Sequence, residues 1–251
     1  MQQVDVVLLT MNSEHLLEKC LKSIYANVPV KTLIVIDGCS TDRTLQILGN
    51  YKKKYGNVRV FKMVGSRAEA REEGIKHVTT EYFAFIDSDV VLCKDWFKKA
   101  QQDLASDVGA VWGLNIDVIP NIKNKHLLLL ESLIARQGFI LRGGMHDTLI
   151  LKRTVENIHI PKELHAYEDA YIIRWIKKQG YKALVGSNVY CLHYKPPTNW
   201  SFQNAIDQAI VELKCGLIYS HMFTYMLFYP VFMLYWILQV PLSGFGGELT
   251  R

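Results

Sequence analysis

The sequence predicts an α/β sandwich around a largely parallel sheet, followed by a hydrophobic, membrane-associated helical segment. Three observations carry this. Short apolar runs alternate with amphipathic stretches through the first half of the chain, the pattern of strands joined by crossover helices. Acidic residues stand at the ends of two of those runs, Asp37 after the second and Asp87 and Asp89 after the fourth. From Cys215 to Gly247 there is no Asp, Glu, Lys or Arg.

Taken in order, Val4 to Leu9 reads as a buried strand. Asn12 or Ser13 can cap the next helix, in which Leu16, Leu17, Cys20, Leu21 and Ile24 recur at helical spacing. Thr32 to Ile36 forms a second strand, and Thr41 or Asp42 starts a second helix reaching about Tyr55. Val58 to Phe61 is a third strand, Ser66 to Val78 a helix, and Tyr82 to Ile86 a fourth strand. The second half is less regular. It holds an amphipathic helix from Asp95 to Ala105, a strand from Ala110 to Leu114, a leucine-rich helix from Lys125 to Gln137 and a short strand from Leu149 to Leu151. Glu168 to Gln179 is a helix with Ala170, Ile172, Ile173, Trp175 and Ile176 on its apolar side, stopped by Gly180. Val189 to Tyr194 alternates like a strand.

The last stretch changes character. Leu217 to Leu242 is almost wholly apolar and aromatic. A helix of that length covers ~35–40 Å at about 1.5 Å per residue, enough to cross a bilayer core of ~30 Å. Pro230 would kink it or divide it into two interfacial pieces. Tyr219, Tyr225, Tyr229, Tyr235 and Trp236 suit headgroup depth. Ser201 to Lys214 can lie on the membrane surface, with Phe202, Ile206, Ile210 and Leu213 inward. A buried core helix is the alternative. The expected division is a catalytic domain over residues 1–200, an amphipathic interface helix over 201–216 and a membrane-associated or transmembrane segment over 217–242.

With 251 residues and 49% hydrophobic content, the chain can build one sizeable core plus an appendage. The net charge of +5, from 29 basic and 24 acidic residues, suits phosphate-bearing substrates or an anionic membrane surface. It is too diffuse to argue for nucleic acid. The 5 cysteines are odd in number and show no C-x-x-C, so neither a zinc knuckle nor a disulfide frame is expected; they read as reduced thiols. The first residues lack a basic n-region and an apolar h-region, so a signal peptide is not expected.

Ligands of open α/β sheets bind outside the carboxyl ends of the strands. That rule puts Asp37, Asp87 and Asp89 on one edge. In Phe83-Ala84-Phe85-Ile86-Asp87-Ser88-Asp89-Val90-Val91, an apolar strand runs into two carboxylates one residue apart. Residues i and i+2 of a strand face the same side. Such a pair can hold a hard divalent cation through oxygen, or serve as turn and cap chemistry.

Together these stretches resemble inverting glycosyltransferase family 2, which has the GT-A fold, a Rossmann-like nucleotide-diphospho-sugar sandwich. Leu9-Thr10-Met11-Asn12, with Leu16, Cys20-Leu21 and Ser23-Ile24, is similar to the family's opening strand and helix. Ile36-Asp37-Gly38-Cys39-Ser40-Thr41-Asp42 resembles its second-strand motif, with Ile36 where an Asp is usual. Ala70-Arg71 with Gly74-Ile75 resembles the helix before the metal motif, and Asp87-Ser88-Asp89 matches the DxD motif. Glu168-Asp169, opening a helix that ends at Gly180-Tyr181, resembles the acceptor-side "ED" motif.

The resemblance implies a role for each position. Asp89 is the direct metal ligand, while Asp87, with Ser88 beside it, faces the ribose hydroxyls of the nucleotide or reaches the metal through water. His193 is a further metal ligand, favouring Mn²⁺ modestly over Mg²⁺; a core side chain is the plainer reading. Thr10 and Asn12 flank the base and Asp37 accepts from a base N–H, unless Asp37 only caps the helix at Thr41. Arg71 pairs with pyrophosphate or buttresses Asp87, unless it is a surface charge beside Glu72 and Glu73; Arg67 is a weaker candidate of the same type. Asp169 is the base that takes the acceptor proton and Glu168 holds acceptor hydroxyls, unless both only complement a helix dipole. Gly143-Gly144-Met145-His146-Asp147 can line the acceptor side, with no sharper role.

The expected activity is metal-dependent transfer of a sugar, with inversion, from a UDP- or GDP-sugar to a hydroxyl on a lipid-linked or other glycan. The enzyme would be membrane-attached. Lys177, Lys178, Lys182, Lys195 and Lys214 precede the hydrophobic tail and only Arg251 follows it, which places the catalytic domain on the cytoplasmic face. One rival is a polyprenyl-phosphate sugar synthase, whose ionised acceptor needs no base; the Arg-rich, Ser-Lys-containing motif usual late in those enzymes is not found. Another is a non-catalytic nucleotide-binding subunit of a membrane assembly, which the acids at the motif positions argue against.

Overall fold

A computed structural model describes residues 3–118, 143–164 and 168–194. Strands β1 (Val4–Thr10), β2 (Val30–Asp37), β3 (Val58–Lys62), β4 (Tyr82–Asp87), β5 (Val90–Leu92), β6 (Val108–Val118), β7 (Asp147–Leu151) and β8 (Lys182–Tyr194) join in one sheet, ordered β3-β2-β1-β4-β7-β6-β8-β5. The described helices are α1 (Leu17–Asn27), α2 (Thr44–Tyr55), α3 (Arg67–Lys76), α4 (Trp96–Gln102) and α5 (Glu168–Lys178).

The first four strands are parallel neighbours, joined in sequence by α1, α2 and α3. Their apolar runs are buried on both faces, as a helix-covered parallel sheet requires. On one face, Val6, Leu8, Leu33, Val35, Ala84 and Ile86 pack with Leu17, Leu21 and Ile24 of α1 and Trp96 and Phe97 of α4. On the other, α3 approaches β1 so closely that a Cβ on Gly74 would overlap Cγ1 of Val7.

The second half makes the sheet mixed rather than largely parallel. β7 runs antiparallel to β4 and to β6, and β5 runs antiparallel to β8, while β6 and β8 are parallel. Part of the reason is length. β4 and β5 are separated only by the turn Ser88-Asp89, too short for the crossover that a parallel neighbour needs, so β5 pairs at the far edge with β8.

Helix starts differ in detail from expectation. α1 has no side-chain cap; the Ser13 carbonyl accepts from Leu16 and Leu17 N–H. α2 begins beside Asp42, whose carboxylate accepts from Thr44 N–H. α3 carries a capping box between Ser66 and Glu69. α4 stops at Gln102, short of Ala105, and β8 begins at Lys182, well before Val189. Gly180 has φ 86° just past α5, a conformation costly for any residue with a side chain. The leucine-rich stretch from Lys125 to Gln137 and everything from residue 195 onward lie outside the described residues, including the expected interface helix and hydrophobic segment. Among the described residues, no helix is long and apolar enough to cross a membrane.

Candidate active site

Strand register assembles the site. Thr10 pairs with Asp37 across β1 and β2, and Leu9 pairs with Asp87 across β1 and β4. The carboxyl ends of three adjacent strands therefore carry Thr10, Asp37 and Asp87 side by side.

The first two strand ends are tied by a closed polar network. Asp37 Oδ1 accepts from Thr10 Oγ1 at 2.8 Å and from Ser40 Oγ at 2.6 Å, and Oδ2 accepts from Ser40 N–H at 2.9 Å. Asn12 N–H donates to Ser40 Oγ at 2.9 Å, and Thr41 N–H donates to Asn12 Oδ1 at 2.9 Å. Asn12 and Cys39 take positive φ to close this arrangement. Asp37 is 0% exposed. Its bonds close the turn after β2 and do not cap the next helix, which begins at Thr44 beside Asp42. Met11, Asn12, Cys39 and Thr41 are exposed at this edge. Ser13 Oγ also reaches Ser88 Oγ at 3.0 Å, joining this loop to the DxD turn.

Asp87 and Asp89 do not continue one strand. β4 ends at Asp87 and a turn occupies Ser88 and Asp89, so the same-side argument for i and i+2 does not apply. The two acids have different partners. Asp87 Oδ1 accepts from Arg71 Nη2 at 3.0 Å, and Arg71 Nε donates to Glu168 Oε1 at 3.1 Å. Arg71 is thus no surface charge: it is buried, with its guanidinium 5.0 Å from the centre of the Phe85 ring. Burial opposes its charge, but the Asp87 and Glu168 carboxylates more than offset this and hold its pKa above the usual value. Burial raises the pKa of Glu168, with Arg71 working against the rise.

Asp89 meets His193. Val90 pairs with His193 in the β5–β8 ladder and Tyr194 N–H donates to the Asp89 carbonyl, which leaves His193 Nε2 3.2 Å from Asp89 Oδ2. Burial acts to raise the Asp89 pKa, yet the hydrogen bond and charge of His193 outweigh it and the carboxyl sits below its usual value. Adjacent ligands of one octahedral cation, each about 2.1 Å from it, lie about 3 Å apart. The Asp89–His193 separation fits that demand.

Asp169 is half-buried in the first turn of α5, and its Oδ1 accepts from Ala170 N–H at 2.7 Å. Its charge acts on Arg71, Glu168 and His146, so it belongs to the same cluster. Glu168 itself is buried and faces Arg71. Arg67, at the start of α3, is exposed and its charge acts on Asp89 and Glu168.

The Gly143–Asp147 stretch has a sharper role than its sequence suggested. The Asp87 N–H donates to the His146 carbonyl at 3.0 Å, fixing this stretch to the DxD strand. Asp147 is fully buried, with Oδ2 accepting from Trp96 Nε1 at 2.9 Å and Oδ1 from Gly113 N–H at 3.2 Å. A Cβ on Gly113 would overlap that carboxylate. His146, Asp147 and Cys191 bring N, O and S ligand atoms within 4.8 Å of one another. Asp147 already accepts from Trp96 and Gly113 and is bonded to Cys191, so the group stands as a hydrogen-bonded wedge beneath the site. Burial pushes Asp147 up to about 7 and His146 down to about 4.

The structure thus brings Arg71, Asp87, Asp89, Glu168, Asp169 and His193 into one constellation, with Thr10, Asn12, Asp37 and Ser88 forming its braced rim. Sequence reasoning missed the bridge from Arg71 to Glu168 and the buried Asp147, Trp96 and Gly113 contacts. The one available signal was a glycine-rich stretch ending in His and Asp.

Comparison with known proteins gives a consistent result. Staphylococcus aureus (strain Mu50) poly(ribitol-phosphate) beta-N-acetylglucosaminyltransferase TarS is 30% identical over 184 residues, 67% of this chain and 31% of that relative, so the chain spans under a third of its length. The crystal structure of S. aureus TarS 1-349 in complex with UDP-GlcNAc superposes with a TM-score of 0.63 at 22% identity, over 79% of this chain and 60% of that one. The mannosyltransferase PcManGT from Pyrobaculum calidifontis, in complex with GDP-Man and Mn²⁺, superposes with a TM-score of 0.63 at 20% identity, over 79% and 58%. A Methanococcus voltae dolichyl N-acetyl-alpha-D-glucosaminyl phosphate 3-beta-D-2,3-diacetamido-2,3-dideoxy-beta-D-glucuronosyltransferase is 22% identical over 97% of this chain and 83% of its own length. These likenesses agree with the open GT-A sheet, and the family model "Glycosyl transferase family 2" matches residues 5–159: the chain belongs to glycosyltransferase family 2.

Proposed function

We propose that the chain is the catalytic part of a metal-dependent, inverting glycosyltransferase that moves a sugar from a UDP- or GDP-sugar to an acceptor hydroxyl on a lipid-linked glycan. The observation that carries this reading is the convergence of Asp89 and His193, 3.2 Å apart, beside the carboxyl end of β4.

Asp89 and His193 would hold the divalent cation, and an imidazole in the set favours Mn²⁺. When bound, the cation supplies positive charge against the negative charge that grows on the leaving diphosphate. Asp89 is suited to this because its carboxyl sits below the usual value, the raising effect of burial being outweighed by His193 and the surrounding groups. Asp87 has one oxygen fixed by Arg71 and is part-exposed, leaving the other for ribose hydroxyls. Asp37, Thr10 and Asn12 act through the loops they tie, giving the base a rigid edge. Asp169 takes the proton of the acceptor hydroxyl, and Glu168 anchors the start of α5 from below.

The lipid-linked acceptor draws support from the Methanococcus relative, whose name specifies a dolichyl phosphate-linked sugar acceptor. Membrane attachment, with the catalytic domain of residues 1–200 on the cytoplasmic face, draws support from the charge-free stretch between Cys215 and Gly247 and the lysines before it.

The test is nucleoside diphosphate release from a panel of UDP- and GDP-sugars with Mn²⁺. Release from a donor, lost with EDTA, is expected. No release and no binding with any sugar nucleotide would sink the reading.

A further inference from the structure

We propose that Arg71 is a positioning residue that makes the acceptor side of the site depend on the donor side, because one guanidinium holds both Asp87 at the end of β4 and Glu168 at the start of α5. The proposal rests on the functional reading above and adds to it a direction of communication. Nucleotide and metal, on binding beside Asp87, set the order of the helix that carries Asp169.

The geometry makes Arg71 a mechanical link. Nε and Nη2 belong to one planar group, so their two partners, 3.1 and 3.0 Å away, are fixed relative to each other. Those partners come from segments far apart in sequence: Asp87 lies 16 residues from Arg71 and Glu168 lies 97. Packing over the Phe85 ring holds the plane of the fork. Both Arg71 and Glu168 are buried, with side chains 4% and 5% exposed, so solvent cannot take the place of either.

Charge makes the link responsive. A single cation is shared between Asp87 and Glu168, with the charge of Asp169 also acting on it. When Asp87 also accepts from the nucleotide through its other oxygen, its charge is shared and its hold on Arg71 weakens. Glu168 then becomes its principal counter-charge, and at low dielectric that pair tightens. Glu168 is the first residue of α5 and Asp169 the second, so tightening the Arg71–Glu168 pair fixes the backbone from which the base projects.

The test is hydrogen–deuterium exchange across Glu168–Lys178 in the full chain, with and without UDP plus Mn²⁺ and GDP plus Mn²⁺. In the wild type, the nucleotide that binds should slow exchange in α5 by about 5-fold or more. Arg71→Lys keeps the charge but has no fork. With nucleotide and Mn²⁺ at saturation, it should lose the slowing. Glu168→Gln, which keeps the size but drops the charge, should behave alike and serves if Arg71→Lys does not fold. Nucleotide binding by the wild type that leaves α5 unchanged, or equal slowing in either variant, overturns the proposal. Failure of the wild type to bind either nucleotide overturns the functional reading beneath it, a separate result.

Discussion

His193 Nε2 lies 3.2 Å from Asp89 Oδ2 although 104 residues separate them in the chain. The contact is a product of strand pairing: β5 leaves the DxD turn and meets the end of β8. A carboxylate and an imidazole are therefore brought together by backbone register, not by a local motif.

Asp169→Asn should lower kcat by about 100-fold or more, since general-base removal forfeits a contribution of about 10²–10⁴. Nucleotide–Mn²⁺ affinity should stay near the wild-type value, because the proposal gives Asp169 the acceptor hydroxyl and neither the cation nor the nucleotide. Steady-state rates alongside calorimetric nucleotide binding check both halves. An unchanged kcat would remove Asp169 from the mechanism.

Asp37→Ala should destabilise the protein before any nucleotide is added. It frees the hydroxyls of Thr10 and Ser40 and the Ser40 N–H, three donors now satisfied at 2.6–2.9 Å. The expected loss is about 1–3 kcal/mol, measured by urea unfolding. If stability is unchanged and only nucleotide affinity falls, Asp37 contacts the base directly.

Gly113→Ala should cost about 1–3 kcal/mol by overpacking. The added methyl would overlap the Asp147 carboxylate, which Trp96 and the Gly113 N–H hold in place. A thermal melt equal to that of the wild type would show that Asp147 can move aside.

Asp147 and His146 give pH effects of opposite sign. Burial raises Asp147 from 3.8 to about 7, so between about pH 4 and 7 the folded state keeps a proton the unfolded chain has released. Stability from this group falls as pH rises through that window. Burial lowers His146 from 6.5 to about 4, so between those values the unfolded chain binds a proton the folded state refuses. Stability from this group rises with pH there. The two effects offset in the wild type. Asp147→Asn should expose the rise and His146→Gln the fall. Unfolding curves at several pH values check this, and slopes of the same sign in both variants would contradict it.

The first half of the fold was legible because each strand and helix there has its own periodicity. Val4–Thr10, Val30–Asp37, Val58–Lys62 and Tyr82–Asp87 all appear where apolar runs stand in the sequence. The edge carrying Asp37 and Asp87 was legible for the same reason. What was not legible depends on long-range pairing. The i, i+2 argument for Asp87 and Asp89 failed because a turn at Ser88-Asp89 intervenes, and no local pattern distinguishes that turn from a continued strand. The Arg71–Glu168 bridge joins segments 97 residues apart. Asp147 looked like loop chemistry because a buried carboxylate has no sequence signature; its partners Trp96 and Gly113 come from α4 and β6.

The central claim is that the Asp89–His193 pair holds the catalytic cation. Mn²⁺ titration by electron paramagnetic resonance, in the presence of the nucleotide that binds, tests it most directly. The wild type should take up Mn²⁺, and Asp89→Asn and His193→Ala should each weaken uptake by about 10-fold or more. Mn²⁺ affinity unchanged in both variants would contradict the account.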